Sequence, residues 1–119
     1  MTLEQFLSRQ EKWSTVTFGH GTRTLGLIEH IRKELAEIEA NPHDLEEWCD
    51  VIMLAIDGFW RHGGDPATIM QHLEAKAQKN FRRQWLPGND SRASEHIRED
   101  SRDDRSQALT SNQPGDSQP

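Results

Sequence analysis

A single cysteine, Cys49, stands among 119 residues, so no internal disulfide framework holds this chain together. Long apolar runs are missing as well. The longest, Val51–Ile56, falls far short of the roughly 20 residues that a membrane-spanning helix needs, which argues against a membrane partner. There is no excess of basic charge: 20 acidic residues against 14 basic ones give a formal charge of -6, and no basic face is expected that would hold a nucleic-acid duplex. The opening residues carry no secretory signal pattern, and the expected compartment is the cytoplasm. The six histidines show no Cys/His spacing typical of zinc, and Gly19-His20-Gly21 is too short for a phosphate-loop fingerprint.

Apolar residues make up only 33% of the chain, and from Pro87 onward they are reduced to Ala93, Ile97, Ala108 and Leu109. Residues 87–119 therefore cannot build a core and read as a disordered acidic and polar tail. Within that tail the charged stretch Glu95 to Arg105 is compatible with transient helix, yet no apolar stripe would dock it. The compact domain is expected over residues 1–86.

Those first 86 residues read as four helices, an all-α bundle. Thr2 and Gln5 form a capping-box pattern ahead of Leu3, Phe6 and Leu7, and helical spacing continues to Trp13 before Ser14 to Gly21 breaks it. A second helix starts near Thr22 or Thr24 and runs to about Ala40, with Leu27, Ile28, Ile31, Leu35 and Ile38 on one stripe. Asn41-Pro42-His43-Asp44 supplies a cap, a proline and an acid for a third helix, Pro42 to Arg61, closed by Gly63-Gly64. Asp65-Pro66 repeats the device for a fourth, ending near Trp85 before Pro87. The run Val51–Ile56 is apolar around the whole circumference of the third helix, so a second subunit is expected to complete the bundle.

Chemistry is carried by Glu34 with Glu37 and by Glu47 with Asp50. A spacing of three at about 100° per residue puts both members of a pair on one helix face. A short proline turn makes the two helices antiparallel, so the pairs can converge. Four carboxylates at one place repel one another unless cations intervene, and all-oxygen ligands favour Mg²⁺ or Mn²⁺. On the fourth helix Lys76, Lys79, Asn80 and Arg83 share a stripe of donors suited to phosphate oxygens, although cations at a helix C-terminus also offset its dipole. His30 lies one turn before Glu34 and reads as a ligand contact or a structural histidine; Trp13, Phe18 and Trp48 read as base-stacking or core aromatics. Asp57 and Arg61 read most simply as a local ion pair, and Cys49 as a small hydrophobe.

Lys33-Glu34-Leu35-Ala36-Glu37 followed by Glu47-Trp48-Cys49-Asp50 resembles the EExxE and ExxD pair of the MazG-like all-α nucleoside triphosphate pyrophosphohydrolases. The surrounding residues are similar to the phage and bacterial dATP/dGTP diphosphohydrolase, or MazZ-like, subgroup. They include Thr17 to Thr24, Gly26 to Glu34, Asp44 to Trp48, Asp57-Gly58 with Trp60-Arg61, and Lys79-Asn80 with Arg83 and Trp85. The likeness spans about residues 1–87. Lys33 departs from it, standing where the wider family often has its first glutamate.

The resemblance implies a metal-dependent hydrolase that cleaves a purine (deoxy)nucleoside triphosphate, dGTP or dATP, between the α and β phosphates. Glu34, Glu37, Glu47 and Asp50 would hold two or three Mg²⁺ or Mn²⁺ ions, and Glu34 or Glu37 would act on the attacking water. Lys76, Lys79, Asn80, Arg83, His30, Trp13 and Phe18 are the expected substrate contacts. A homodimer or dimer of dimers is expected. In a phage, working in the host cytoplasm, the product dGMP would supply 2-aminoadenine synthesis. The alternative is a non-catalytic helical module that binds a protein, or a metal-binding regulatory module.

Overall fold

The computed structural model describes residues 1–98, and these fall into two compact units, residues 1–73 and the described residues from Glu74 onward. The first unit holds helix α1 (Leu3–Phe18), α2 (Thr24–Ala40) and α3 (Leu45–Arg61), then a 3-10 turn (Pro66–Thr68) leading into α4 (Ile69–Phe81). The expected four helices are present.

Thr2 caps α1 as its pattern predicts: its side chain accepts from Gln5 N at 3.1 Å, and Gln5 Oε1 accepts from Thr2 N at 2.8 Å. The helix does not stop at Trp13, however. It continues through Thr15, Val16 and Thr17 to Phe18, so β-branching lowered helix propensity without ending the helix. The stop is Gly19, whose φ of 92° suits a residue without a Cβ. The third helix also begins later than expected. Its cap is Asp44, which accepts from Glu46 N at 3.1 Å, and Asn41 instead closes α2. Asp65 caps the 3-10 turn through Ala67 N at 3.0 Å, with Pro66 just inside.

The short connection after Ala40 lays α2 against α3, the most extensive helix pairing in the first unit, while α1 packs on α3 and on the 3-10 turn. The core is small. Only Leu7, Leu27, Ile38 and Ile69 are buried apolar side chains among the described residues, and α3 keeps Val51, Met53, Leu54 and Ile56 half-buried with Ile52 56% exposed.

In the second unit the sequence reading needs correcting. The fourth helix ends at Phe81, not near Trp85, and Gln84–Leu86 forms strand β1, paired antiparallel with β2, Glu95–Ile97. Trp85 faces His96 in register, the two rings meeting edge to face at 5.3 Å. Trp85 Nε1 donates to Asn80 O at 3.0 Å, which occupies a carbonyl at the helix end. Asn89 Oδ1 accepts from Ser91 N at 2.9 Å, and Ser94 Oγ donates to Leu86 O, closing the hairpin. The disordered reading of the tail therefore fails for residues 87–98. The remainder of the tail, including most of Glu95 to Arg105, lies outside the described residues. Among the described residues no helix is long and apolar enough to cross a membrane.

Candidate active site

Adjacent turns of α2 and α3 bring three of the four expected carboxylates together: one oxygen each from Glu34, Glu37 and Glu47 lie within 4.8 Å of one another. Glu47 Oε1 is buried without a hydrogen-bond partner. Partial burial pushes the Glu47 carboxyl above the usual carboxylate range, and the charges of Glu37, Asp44, Asp50 and Glu34 push it the same way. The ion pairs among the described residues are His30–Glu34 and Asp57–Arg61, so no lysine or arginine neutralises the cluster. An orphaned oxygen inside a knot of acids that no lysine or arginine pairs fits a divalent cation, whose charge and open coordination would satisfy both.

Asp50 stands outside the closest triplet. It lines a cleft of about 400 Å³ with His30 and Glu34 from α2, Gln10, Trp13, Ser14 and Phe18 from α1, and Met53, Leu54 and Asp57 from α3. Trp13 and Phe18 meet edge to face with centroids 5.5 Å apart, and both remain substantially exposed. They are thus not the filled core that small-protein aromatics usually make. His30 Nε2 lies 3.4 Å from Glu34 Oε2.

Beneath the cleft Arg61 ties α1 to α3. Its Nε donates to Asp57 Oδ2 at 2.9 Å, its Nη2 to Ser14 Oγ at 2.9 Å, and its Nη1 to the carbonyls of Gly19 and Gly21, each at 2.9 Å. Gly19 and Gly21 both take positive φ, which turns those carbonyls toward the guanidinium. The ion pair read from the spacing is present, and its reach into α1 is the part that spacing could not show.

The four expected phosphate donors are not on one helical stripe. Lys76, Lys79 and Asn80 belong to α4, but Arg83 lies beyond its end, with Nη1 3.4 Å from Asn80 Oδ1. Partial burial, then the charges of Arg83 and Lys79, hold the Lys76 ammonium below its ordinary range. These residues form a cationic group within the second unit.

Carboxylates that fit a cation beside an aromatic-lined cleft are compatible with metal-assisted chemistry on a phosphate ester, and the sequence itself decides the family. The profile of dATP/dGTP pyrophosphohydrolases matches residues 6–104. The chain belongs to this family.

As a dATP/dGTP pyrophosphohydrolase family member it is a nucleotide pyrophosphohydrolase, and its fold agrees. It is similar to a structure described as the cyanophage S-2L MazG-like pyrophosphohydrolase bound to dGDP and three catalytic Mn²⁺ ions per active site. That match has 25% identity and a TM-score of 0.65, covering 82% of this chain and 99% of the other. No curated protein sequence matches the chain. The family match runs past residue 87, in keeping with the hairpin that follows it. Cleft residues to which the sequence assigned no site role are Gln10, Ser14, Met53, Leu54 and Asp57. Gln10 carried a findable signal, since it lies one turn before Trp13 on α1.

Proposed function

We propose that the protein hydrolyses purine deoxynucleoside triphosphates, dGTP and dATP, to the monophosphate and pyrophosphate. The observation that carries this reading is the convergence of Glu34, Glu37 and Glu47, with a buried unpartnered oxygen on Glu47, next to a cleft lined by Trp13 and Phe18. The family match and the dGDP bound by the cyanophage neighbour support a purine nucleotide in that cleft.

Glu34, Glu37, Glu47 and Asp50 would hold Mg²⁺ or Mn²⁺, two or three ions, as the three Mn²⁺ of the neighbour support. Such ions neutralise the triphosphate and lower the pKa of a coordinated water. Glu37, the exposed member of the triplet, would accept a proton from the attacking water in this reading, with Glu34 the other candidate. Trp13 and Phe18 offer ring faces and edges to a base, and His30 fixes the Glu34 carboxylate or meets a phosphate oxygen. Lys76, Lys79, Asn80 and Arg83 carry donors of the kind that phosphate oxygens accept from, and they are kept as candidate substrate contacts. With dGTP as substrate the product is dGMP, the precursor on which 2-aminoadenine synthesis in a phage would draw.

The thin core and the half-exposed apolar side chains of α3 support assembly as a homodimer or dimer of dimers, which would cover them. The working place of the enzyme in this reading is the cytoplasm. Incubation with a panel of nucleoside triphosphates plus Mg²⁺ or Mn²⁺, followed by product separation, tests the whole reading. Pyrophosphate release from purine deoxynucleotides is expected. Orthophosphate release, or no turnover with any nucleotide, overturns it and leaves a helical binding or metal-sensing module.

A further inference from the structure

Asp57 is only 3% exposed, yet it lines the cleft. One of its oxygens, Oδ2, is taken by Arg61 Nε at 2.9 Å; the other, Oδ1, is buried with no hydrogen-bond partner. A buried acceptor left unpaired costs free energy, and such groups in folded proteins ordinarily have a partner. Asp57 cannot easily turn away to find one. Arg61 is itself pinned to Ser14, Gly19 and Gly21, so the carboxylate is clamped in a single orientation.

Asp57 lies seven residues after Asp50 on α3, on the same face, about 10 Å along the helix axis. Asp50 stands by the acidic cluster and Asp57 two turns from it, a separation of the order that divides a nucleotide's phosphate from its base. Trp13 and Phe18 line the same cleft, as does Gln10.

We propose that Asp57 reads the base, its free Oδ1 accepting a hydrogen bond from the exocyclic amino group of a purine held against Trp13 and Phe18. This rests on the nucleotide reading above and names the feature of the base that the site selects. A carboxylate is an acceptor only, so it pairs with an N–H and gives nothing to a carbonyl. Adenine carries its exocyclic amino group at C6 and guanine carries one at C2 beside N1–H, whereas hypoxanthine carries none and offers only N1–H. The Gln10 amide, with donor and acceptor ends, can serve the remaining edge of either purine. A site built to bond such a group rejects an analogue lacking it, because its own buried atom is then left unpaired.

The test compares dAMP, dGMP and dIMP in equilibrium binding, and dATP, dGTP and dITP in pyrophosphate release, using the full-length protein and Asp57→Asn. Wild type is expected to favour the amino-bearing purines over hypoxanthine by about tenfold or more. In the variant, Arg61 demands an oxygen at the Oδ2 position, so the amide nitrogen takes the place of Oδ1 and replaces an acceptor with a donor. The preference should then fall toward unity. Equal handling of amino-bearing and hypoxanthine nucleotides by wild type overturns the inference without any variant. So does a loss in Asp57→Asn by one common factor for all bases, which would make Asp57 a support for Arg61 alone. If wild type neither binds nor cleaves any nucleotide, the functional reading itself fails and this inference falls with it.

Discussion

Arg61 Nε meets Asp57 Oδ2 at 2.9 Å with both side chains almost fully withdrawn from solvent, and the same guanidinium holds Ser14, 47 residues away in sequence. A buried pair of this kind is worth little against an apolar replacement but is costly to break from one side. Arg61→Ala is expected to lower unfolding free energy by about 3 to 5 kcal/mol, because Asp57 is left as an uncompensated buried charge. Arg61→Lys should recover only part of this, since an ammonium cannot span Asp57, Ser14 and both glycine carbonyls. Urea denaturation of the variants checks both values.

The metal-binding reading makes a second prediction. Glu47→Gln and Asp50→Asn keep shape while removing ligand charge, and each should lower pyrophosphate release by about two orders of magnitude or more at saturating metal. Circular dichroism should show the helices intact. Near-normal turnover in either variant would remove that residue from the site.

The Glu47 carboxyl also predicts a pH dependence in metal-free protein. Its folded pKa is raised, by partial burial first and then by Glu37, Asp44, Asp50 and Glu34, so the folded state holds this proton more tightly than the unfolded chain. Its contribution to stability is therefore present below the ordinary carboxylate value and is lost as pH rises through the raised one. Thermal unfolding in a chelator should show a slope in that window which Glu47→Gln reduces. Added Mn²⁺ or Mg²⁺ should restore stability on the alkaline side.

Assembly is testable on α3. Met53→Glu or Ile56→Glu places a charge among half-buried apolar side chains, and at a symmetric contact it would meet its own copy. Light scattering is expected to show dissociation, with activity falling alongside. An active wild-type monomer at micromolar concentration would refute assembly as the reason for the thin core.

The hairpin separates two truncations. Ending the chain after Arg98 keeps β2 and should leave hydrolysis and tryptophan fluorescence unchanged. Ending it after Gly88 removes His96, the ring against which Trp85 packs at 5.3 Å, and should shift the fluorescence and loosen the second unit. Identical spectra for the two truncations would show that the hairpin contributes nothing to Trp85.

Features set by neighbours a turn or two apart were legible in the sequence. Thr2 with Gln5, Asp65 with Pro66, and the stripe from Leu27 to Ile38 placed helices because capping and amphipathic spacing are local in the chain. The pairs Glu34/Glu37 and Glu47/Asp50 followed from the helical repeat, and the short turn between α2 and α3 sufficed to bring them near each other. What tertiary structure decided was which side chains face one another across helices. Arg61 reaching Ser14, and Trp13 and Phe18 sharing a cleft with Asp50 and Asp57, depend on how α1 lies on α3, which no local pattern encodes. The same holds for β2, three residues with one apolar side chain, whose strand conformation comes from pairing with Gln84–Leu86 and not from its own propensity.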